Sequence, residues 1–351
     1  MKRKITIRKM ILLILLSVII VGLFFPTWTP SIKGHENSIS ILKQIEINGS
    51  KHEVMIRGND KNNPVVIFVH GGPGCPETHY VRKYQDLLEQ NFTIVQYNQR
   101  GSGKSYHFSE DYSNLSINLL VDDLLALTDY VRNELKTDQI ILAGHSFGTM
   151  VGIKAAYQAP EKYLFYIGIG QVGDFWTGEL EALEYCLSQA TARNNIRDIK
   201  AIEACRESIL NRRESFRRKF VWKYGGAVRL INEKVDLVTG LLLNPEYNLW
   251  DAIRYAAGLR VSDNMLWKEI KQSDLPQEVP ELRIPCYFVS GYYDYLTPIQ
   301  NANNYLNTII APTKEFIVFD DSAHFPHFEE KDDFFSLLNE LYGYGRSKRP
   351  I

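Results

Sequence analysis

The stretch 138–160 constrains the fold more than any other part of the chain. An apolar run of strand length, 140–143, meets the sequence Gly-His-Ser-Phe-Gly at 144–148, and a small-residue helical pattern continues until a proline ends it. The pattern predicts a strand, a sharp turn and a helix. Glycines flank Ser146 because the backbone of such a turn is strained and neighbouring segments pass close to it. We therefore expect the Ser146 hydroxyl at the tip of the turn, beside the positive end of the helix dipole.

The rest of the chain alternates short apolar runs with helical patterns. The runs predicted to be strands buried on both faces are 65–69, 93–97, 140–143, 165–169, 286–289 and 316–319. An Asn-Gly pair at 48–49 separates two earlier runs and predicts an antiparallel hairpin. The alternation predicts an α/β fold with a mostly parallel twisted sheet flanked by helices. In such a fold the reactive loops lie at the carboxyl ends of the strands.

The alternation is interrupted between 172 and 282, where no buried strand is predicted. Helical patterns cover 176–194, 199–222 and 249–270. A stretch of this length is too long for a simple connection, so it predicts an inserted helical cap. The predicted catalytic core is then split into two parts. These parts are 41–171 and 283–342, with a tail at 343–351.

The first residues differ from the globular remainder. Five cations within 1–9 precede an unbroken apolar run, 10–25, which is the layout of a signal sequence or signal anchor. No small-residue cleavage site follows, so we predict an uncleaved anchor, with 1–9 cytoplasmic and the catalytic domain extracytoplasmic. Residues 26–40, rich in Pro, Ser, Thr and Gly, are predicted to be a linker. The alternative is a cleaved signal peptide, which gives a secreted protein.

Composition limits the cofactors and partners. The 351 residues are 45% hydrophobic with a net charge of -1, so no global positive field predicts a nucleic acid partner. The cysteines are scattered without a C-x-x-C pair, and no cluster resembles metal ligation. We predict no metal and no cofactor. A single bridge between Cys186 and Cys205 stays open.

A glycine-rich loop, His-Gly-Gly-Pro-Gly at 70–74, follows the first buried strand directly. Its glycines allow backbone N–H groups to approach a substrate oxygen closely. The amides of Gly72 and Phe147 are the predicted oxyanion hole of an acyl-transfer reaction. His70 is interpreted as shaping this loop. The segment 98–105 ends in Gly-Lys-Ser but lacks the earlier glycine of a phosphate-binding loop, so we reject a nucleotide site.

A serine nucleophile needs a base, and the base needs an acid to hold its tautomer. His324 follows the last buried run and is the predicted base, whereas His327 is interpreted as solvated or structural. Asp294 follows the preceding strand and is the predicted acid, with Asp174 as its competitor. The order Ser146, Asp294, His324 is typical of α/β-hydrolases.

With these residues the chain resembles α/β-hydrolases of the proline iminopeptidase-like (prolyl aminopeptidase) branch. The resemblance spans roughly 41–342. It is carried by H-G-G-P-G at 70–74, R-G-x-G-x-S at 100–105, G-x-S-x-G at 144–148, G-x-x-D at 291–294 and a histidine loop at 324. It implies a serine hydrolase that works through an acyl-enzyme. More narrowly, it implies an aminopeptidase for short peptides with N-terminal proline or a similar residue.

Two positions differ from that branch. It usually has Asp-Gln-Arg-Gly where this chain has Asn-Gln-Arg-Gly at 98–101, and Gly-Gly-Ser-Trp-Gly in place of the sequence at 144–148. The Gly-His-Ser-Phe-Gly form at 144–148 is widespread among esterases. An esterase or amidase for a small acyl substrate is therefore the alternative. A third hypothesis is a catalytically silent hydrolase fold that binds a ligand or partner, and the intact serine, aspartate and histidine argue against it.

An aminopeptidase must recognise a free ammonium, which calls for carboxylates near the serine. Glu179, Glu181 and Glu184 begin the predicted cap, where the resemblance places such groups. Trp176 is a candidate for lining the pocket. A solvated helix face for the glutamates and core packing for the tryptophan remain open alternatives.

Overall fold

The computed structural model describes residues 9, 10, 13, 17 and 22–347. A hairpin opens the fold: β1 (Ile39–Ile47) pairs antiparallel with β2 (Ser50–Gly58). Asn48 and Gly49 join the two strands with φ angles of 48° and 77°. Asn-Gly pairs favour such left-handed conformations, which explains why the chain reverses at this point.

The described strands form one eight-stranded sheet. The other strands are β3 (Val65–Val69), β4 (Thr93–Tyr97), β5 (Ile140–His145), β6 (Tyr163–Ile169), β7 (Cys286–Gly291) and β8 (Lys314–Phe319). Their order is β1-β2-β4-β3-β5-β6-β7-β8. β2 pairs antiparallel with β4, and all later neighbours are parallel. The predicted mostly parallel sheet is confirmed, and the carboxyl ends of β3 to β8 meet at one edge.

Helices connect the strands. In chain order they are α1 (Leu88–Asn91), α2 (Ile117–Leu135), α3 (Phe147–Gln158), α4 (Phe175–Ala192), α5 (Ile196–Glu203), α6 (Arg206–Leu210), α7 (Arg218–Lys223), α8 (Glu233–Leu243), α9 (Leu249–Gln272), α10 (Leu275–Glu278), α11 (Ile299–Thr308), α12 (Pro326–Glu329) and α13 (Lys331–Ser347). Short 3-10 helices cover Val81–Lys83, Gly103–Ser105 and Pro160–Lys162.

Two apolar layers cover the two faces of the sheet. Side chains alternate along β3, so that Ile67 belongs to one layer and Phe68 to the other. On one face, α2 contributes residues at helical spacing, among them Leu120, Leu124 and Leu127. The opposite layer includes apolar residues of α13. Because both faces are covered, strands such as β3 consist entirely of apolar residues.

The helices α4 to α10 are inserted between β6 and β7. They have a small apolar core of their own, to which Leu183, Cys186 and Phe220 belong. An antiparallel bridge between Asp174 and Asp274 closes the base of this insertion. The chain leaves the sheet at the carboxyl end of β6 and re-enters it at the amino end of β7, which is parallel to β6. All four cysteines are free thiols, so Cys186 forms no bridge with its candidate partner.

The segment predicted as a linker, 26–40, packs against the protein over much of its length. The amide of Trp28 donates to the carbonyl oxygen of Pro245, which joins the segment to the insertion. The buried guanidinium of Arg57 donates to Thr29 Oγ1, which joins it to the sheet. The last two residues of the segment already belong to β1.

The predicted membrane location is wrong. Within the described part of the chain, no helix is long and apolar enough to cross a membrane. The apolar run 10–25 has sixteen residues, fewer than the about 20 that a span requires. Most of this run, together with nearly all of 1–9, lies outside the described residues. The predicted extracytoplasmic location depended on this anchor, so it is wrong as well.

Candidate active site

Ser146 lies in the turn between β5 and α3, with φ 54° and ψ -125°. A positive φ is costly for a residue other than glycine and persists only where the surroundings enforce it. The flanking glycines are needed because a Cβ on Gly148 would collide with the carbonyl oxygen of Val69. A Cβ on Gly144 would lie 2.7 Å from the carbonyl oxygen of Gly148. Close packing therefore holds the serine in its strained conformation.

Asp294 and His324 meet in neighbouring loops that follow β7 and β8. His324 Nδ1 lies 2.8 Å from Asp294 Oδ2, and both side chains are buried. Asp294 Oδ1 accepts the amides of Leu296 and Thr297, at 2.9 and 3.0 Å. Because the carboxylate accepts the bond, His324 Nδ1 carries the proton in the neutral imidazole, which leaves Nε2 with a lone pair.

Ser146 and His324 line the same cavity, which has a volume of about 210 Å³. The cavity lies between the carboxyl edge of the sheet and the insertion. In the described structure the Ser146 hydroxyl makes no hydrogen bond to His324. Catalytic hydrogen bonds often shorten only when substrate binds. Much of the remaining lining is apolar, and its aromatic members are Phe147, Phe175, Trp222 and Trp267.

Gly72 and Phe147 also line this cavity. The loop 70–74 passes directly beside the serine, because a Cβ on Gly71 would lie 2.9 Å from Ser146 Cβ. Phe147 is the first residue of α3, and the first N–H groups of a helix have no intrahelical acceptor. Two backbone segments able to present amides therefore border the space next to Ser146.

His70 stabilises the glycine-rich loop through contacts of both ring nitrogens with the backbone. Its Nδ1 lies 2.9 Å from the carbonyl oxygen of Gly71, and its Nε2 accepts the amide of Gln99 at 3.1 Å. Burial lowers the pKa of His70 to about 4, so the ring is neutral at physiological pH. These contacts fit the interpretation that His70 shapes the loop.

Asp174, the competing acid, also lines the cavity but does not contact His324. Asp174 caps α4 by accepting the amide of Thr177 at 2.7 Å, whereas His324 contacts Asp294. His327 is buried with 3% of its surface exposed, which excludes a solvated residue and leaves the structural interpretation.

Only one of the three predicted ammonium-binding glutamates lines the cavity. Glu179 does so, but Glu181 and Glu184 are absent from its walls. Successive helix residues are rotated by about 100°, so these positions of α4 point in different directions. Glu184 is exposed and pairs with Arg206. Trp176 is also absent from the cavity walls, and its indole N–H donates to the carbonyl oxygen of Lys271 at 3.0 Å.

Glu179 is buried and contacts two groups from a distant part of the insertion. Its carboxylate pairs with the Arg218 guanidinium and accepts the amide of Phe216. Burial raises the pKa of Glu179, and the charge of Arg218 opposes this rise. Arg218 lies on the cavity wall as well. Sequence reasoning missed it because Arg217, Arg218 and Lys219 form a basic run, and such a run is usually a solvated face.

Thr297 was also missed. Its hydroxyl donates to Asp294 Oδ2 at 2.8 Å and lies 3.2 Å from His324 Nδ1. The available signal was the spacing of Asp294 and Thr297, because an aspartate commonly accepts backbone amides two and three residues later in a turn.

Comparisons with known proteins agree with this architecture. A family model described as the α/β-hydrolase fold matches residues 64–184. A probable aminopeptidase of Bacillus subtilis, YbaC, is 32% identical over 323 residues, which cover 87% of this chain and 96% of the relative. A proline iminopeptidase of Heyndrickxia coagulans is 22% identical over 308 residues, which cover 85% of this chain and 96% of the relative.

Solved structures show the same fold. The crystal structure of a proline iminopeptidase from Mycobacterium smegmatis superposes with a TM-score of 0.65 at 16% identity, covering 87% of this chain and 98% of that one. The sheet order and the fold likeness define the α/β-hydrolase fold. The chain belongs to the α/β-hydrolase family, in its proline iminopeptidase-like branch. The resemblance predicted from the motifs is thereby confirmed.

Proposed function

We propose that this hydrolase uses Ser146 as nucleophile, His324 as general base and Asp294 to orient the base. One observation carries the proposal. The 2.8 Å contact between His324 Nδ1 and Asp294 Oδ2 leaves Nε2 unprotonated, beside a cavity that Ser146 also lines. A base prepared in this way is what a serine needs to become nucleophilic.

The reaction follows from these positions. Ser146 Oγ attacks the substrate carbonyl carbon while its proton passes to His324 Nε2. Asp294 stabilises the imidazolium that forms, and the amides of Gly72 and Phe147 donate to the oxyanion. The intermediate then expels the amine or alcohol, which takes the proton from His324. Water attacks the acyl-enzyme in the second half, with His324 again as base.

The substrate we propose is a short peptide with N-terminal proline or a similar small residue. The names of the relatives support an aminopeptidase. A cavity of about 210 Å³ is below the roughly 300–1,000 Å³ of pockets for drug-sized ligands, so it suits a single small residue. Glu179 supplies a carboxylate on the cavity wall for the substrate ammonium.

One observation favours a second candidate, an esterase or amidase for small acyl substrates. Arg218 pairs with Glu179 and offsets the charge that an ammonium requires. An uncharged acyl group needs no such charge, and the apolar remainder of the cavity suits it. A silent binding protein is the least economical of the hypotheses, because ligand binding alone does not require a base held by a buried carboxylate.

A substrate series separates the two candidates. Prolyl-naphthylamide carries the free ammonium, N-acetyl-prolyl-naphthylamide lacks it, and nitrophenyl butyrate is an uncharged ester. For the aminopeptidase we expect kcat/KM for the free amine to exceed that for the acetylated compound by at least about tenfold, since a hydrogen bond to a charged group contributes about 1.5–3 kcal/mol. Preference for the ester, with no discrimination against acetylation, would contradict the aminopeptidase and support the esterase.

Glu179→Gln tests the role of this carboxylate. We expect kcat/KM for prolyl-naphthylamide to fall by about 10- to 100-fold, through an increase of KM, while ester cleavage changes little. Glu184→Gln is the matched control, because Glu184 lies on the same helix but pairs with Arg206 at the surface. Equal loss of both activities in Glu179→Gln would show a structural role instead.

A further inference from the structure

A cluster of three titratable side chains adjoins the candidate triad without belonging to it. Glu77 follows the glycine-rich loop, His145 precedes Ser146, and His327 is the second residue of α12, the short helix after His324. Their exposed fractions are 6%, 3% and 3%. One side-chain nitrogen or oxygen from each lies within 4.8 Å of the other two. The three residues therefore converge at the carboxyl edge of the sheet from a loop, from the end of β5 and from α12.

The contact between Glu77 and His145 places two acceptors against each other. His145 Nε2 lies 2.9 Å from the carbonyl oxygen of His324, which only accepts, so Nε2 must carry the proton. The other nitrogen of a neutral ring, Nδ1, is then an acceptor. It lies 3.2 Å from Glu77 Oε1, an oxygen of a carboxylate. Either an additional proton or a cation must occupy this contact.

His327 adds a second, independent observation. Within the described structure both of its ring nitrogens are buried without a hydrogen-bond partner. The ring centroid lies 4.7 Å from that of His145 and is otherwise surrounded by aromatic rings such as Phe328, at 3.9 Å. Leaving a buried polar group unpaired costs about 1–3 kcal/mol, so such a group calls for a water or an ion.

We propose that Glu77, His145 and His327 bind one divalent transition-metal ion of the zinc class. Two imidazoles and one carboxylate form a donor set that zinc prefers, with a fourth position left for water. The ion would separate the facing acceptors and provide a partner for His327. The bond from His145 Nε2 to a backbone carbonyl is the outer contact that ligating histidines usually make.

The role of this ion is to brace the active site. Its ligands come from the segment after the glycine-rich loop, from the nucleophile turn and from the segment after His324. His145 in addition holds the backbone carbonyl of His324. One ion therefore connects the three segments that position the triad and the oxyanion hole. It does not contact the substrate.

The test is metal content and stability of the full chain. Because the site is buried, the protein is unfolded in chelator and refolded with and without Zn²⁺, and retained zinc is measured by mass spectrometry after dialysis. We expect one equivalent per chain and a higher Tm with zinc, since an ion that binds only the folded state stabilises it. Cobalt in the same site should give the intense visible absorption of a four-coordinate ion.

Two variants and a control make the result specific. His327→Phe fits the surrounding aromatic rings and Glu77→Gln keeps the shape of the side chain, and both should lose the bound equivalent while circular dichroism reports a native fold. His79→Phe is the matched control, because His79 is likewise buried with both nitrogens unpartnered but lies outside the cluster. It should retain the equivalent.

No retained zinc or cobalt in wild type would overturn the proposal and leave a protonated His145 paired with Glu77. Retention by both cluster variants would overturn it too. No substrate enters this measurement, so its outcome is independent of the proposed hydrolysis.

Discussion

Asp294→Asn tests the tautomer of His324, on which the proposed chemistry depends. Asp294 Oδ1 accepts two backbone amides, from Leu296 and Thr297, so an oxygen must remain on that side of an asparagine. The amide NH2 then takes the place of Oδ2, 2.8 Å from His324 Nδ1. A donor in this place requires Nδ1 to accept. The ring proton moves to Nε2, which can no longer take a proton from the serine.

The expected loss is large, and the fold should survive it. The corresponding exchange in a Ser-His-Asp triad lowers kcat by about 10⁴, equivalent to about 5.5 kcal/mol of transition-state stabilisation. Asn and Asp have nearly the same shape, so circular dichroism and Tm should change little. The only rearrangement we expect is rotation of the Thr297 hydroxyl, which now donates to Oδ2.

The assay is kcat/KM at pH 7.5 with whichever substrate of the series is turned over. Asp174→Asn is the control, because Asp174 was the competing acid and asparagine caps helices as well as aspartate does. The control should retain activity within about tenfold of wild type. An Asp294→Asn variant that is folded and retains more than a tenth of wild-type activity would refute the tautomer argument.

Two further predictions concern stability. Burial lowers the pKa of His79 from 6.5 to about 3, so below pH 6.5 the unfolded chain binds a proton that the folded chain does not. Between pH 6.5 and 4.5, wild type should therefore lose about 2 kcal/mol more unfolding free energy than His79→Phe, with exposed His35→Phe as control. Parallel profiles from denaturant titrations would contradict this. Gly148→Ala should unfold the nucleophile turn, because its Cβ meets the Val69 carbonyl, whereas Gly343→Ala has open space and should stabilise α13 by up to about 1 kcal/mol. Native-like Tm and activity in Gly148→Ala would show that the turn can relax.

Local sequence predicted the sheet well and placed Asp294 and His324 in neighbouring loops, for a physical reason. In a parallel sheet the carboxyl ends of the strands lie at one edge, so residues that follow β5, β7 and β8 come together wherever they stand in the sequence. Assigning the strands was therefore enough to bring Asp294 beside His324. The catalytic roles of these residues remain predictions, as do the limits of the predicted domains.

The insertion was predicted less well, because distant contacts decide its structure. The single helical pattern at 199–222 is divided among α5, α6 and α7. The chain breaks where Arg212 takes a φ of 55° and where the amide of Phe216 turns to the Glu179 carboxylate. Tertiary contacts of this kind override helix propensity. The pairing of Glu179 with Arg218 could not be predicted from local sequence for the same reason.

The cluster of Glu77, His145 and His327 shows a similar limit. Metal sites are recognised in a sequence by close, regular spacing of ligands, and these three residues are separated by 68 and 182 positions. Only the convergence of three separate segments at the sheet edge brings them together. The membrane location predicted from the N-terminal segment was wrong for another reason. A basic run followed by an apolar run does not by itself establish a membrane span.

The central claim is that Ser146 is the nucleophile, and covalent labelling tests it most directly. Folded protein is incubated with a fluorophosphonate, and the adduct is located by mass spectrometry of the intact chain and its peptides. We predict one adduct per chain, on the peptide that contains Ser146, with none in Ser146→Ala and much slower labelling in His324→Gln. An unlabelled wild-type protein with a native fold, or an adduct on a different residue, would contradict the account.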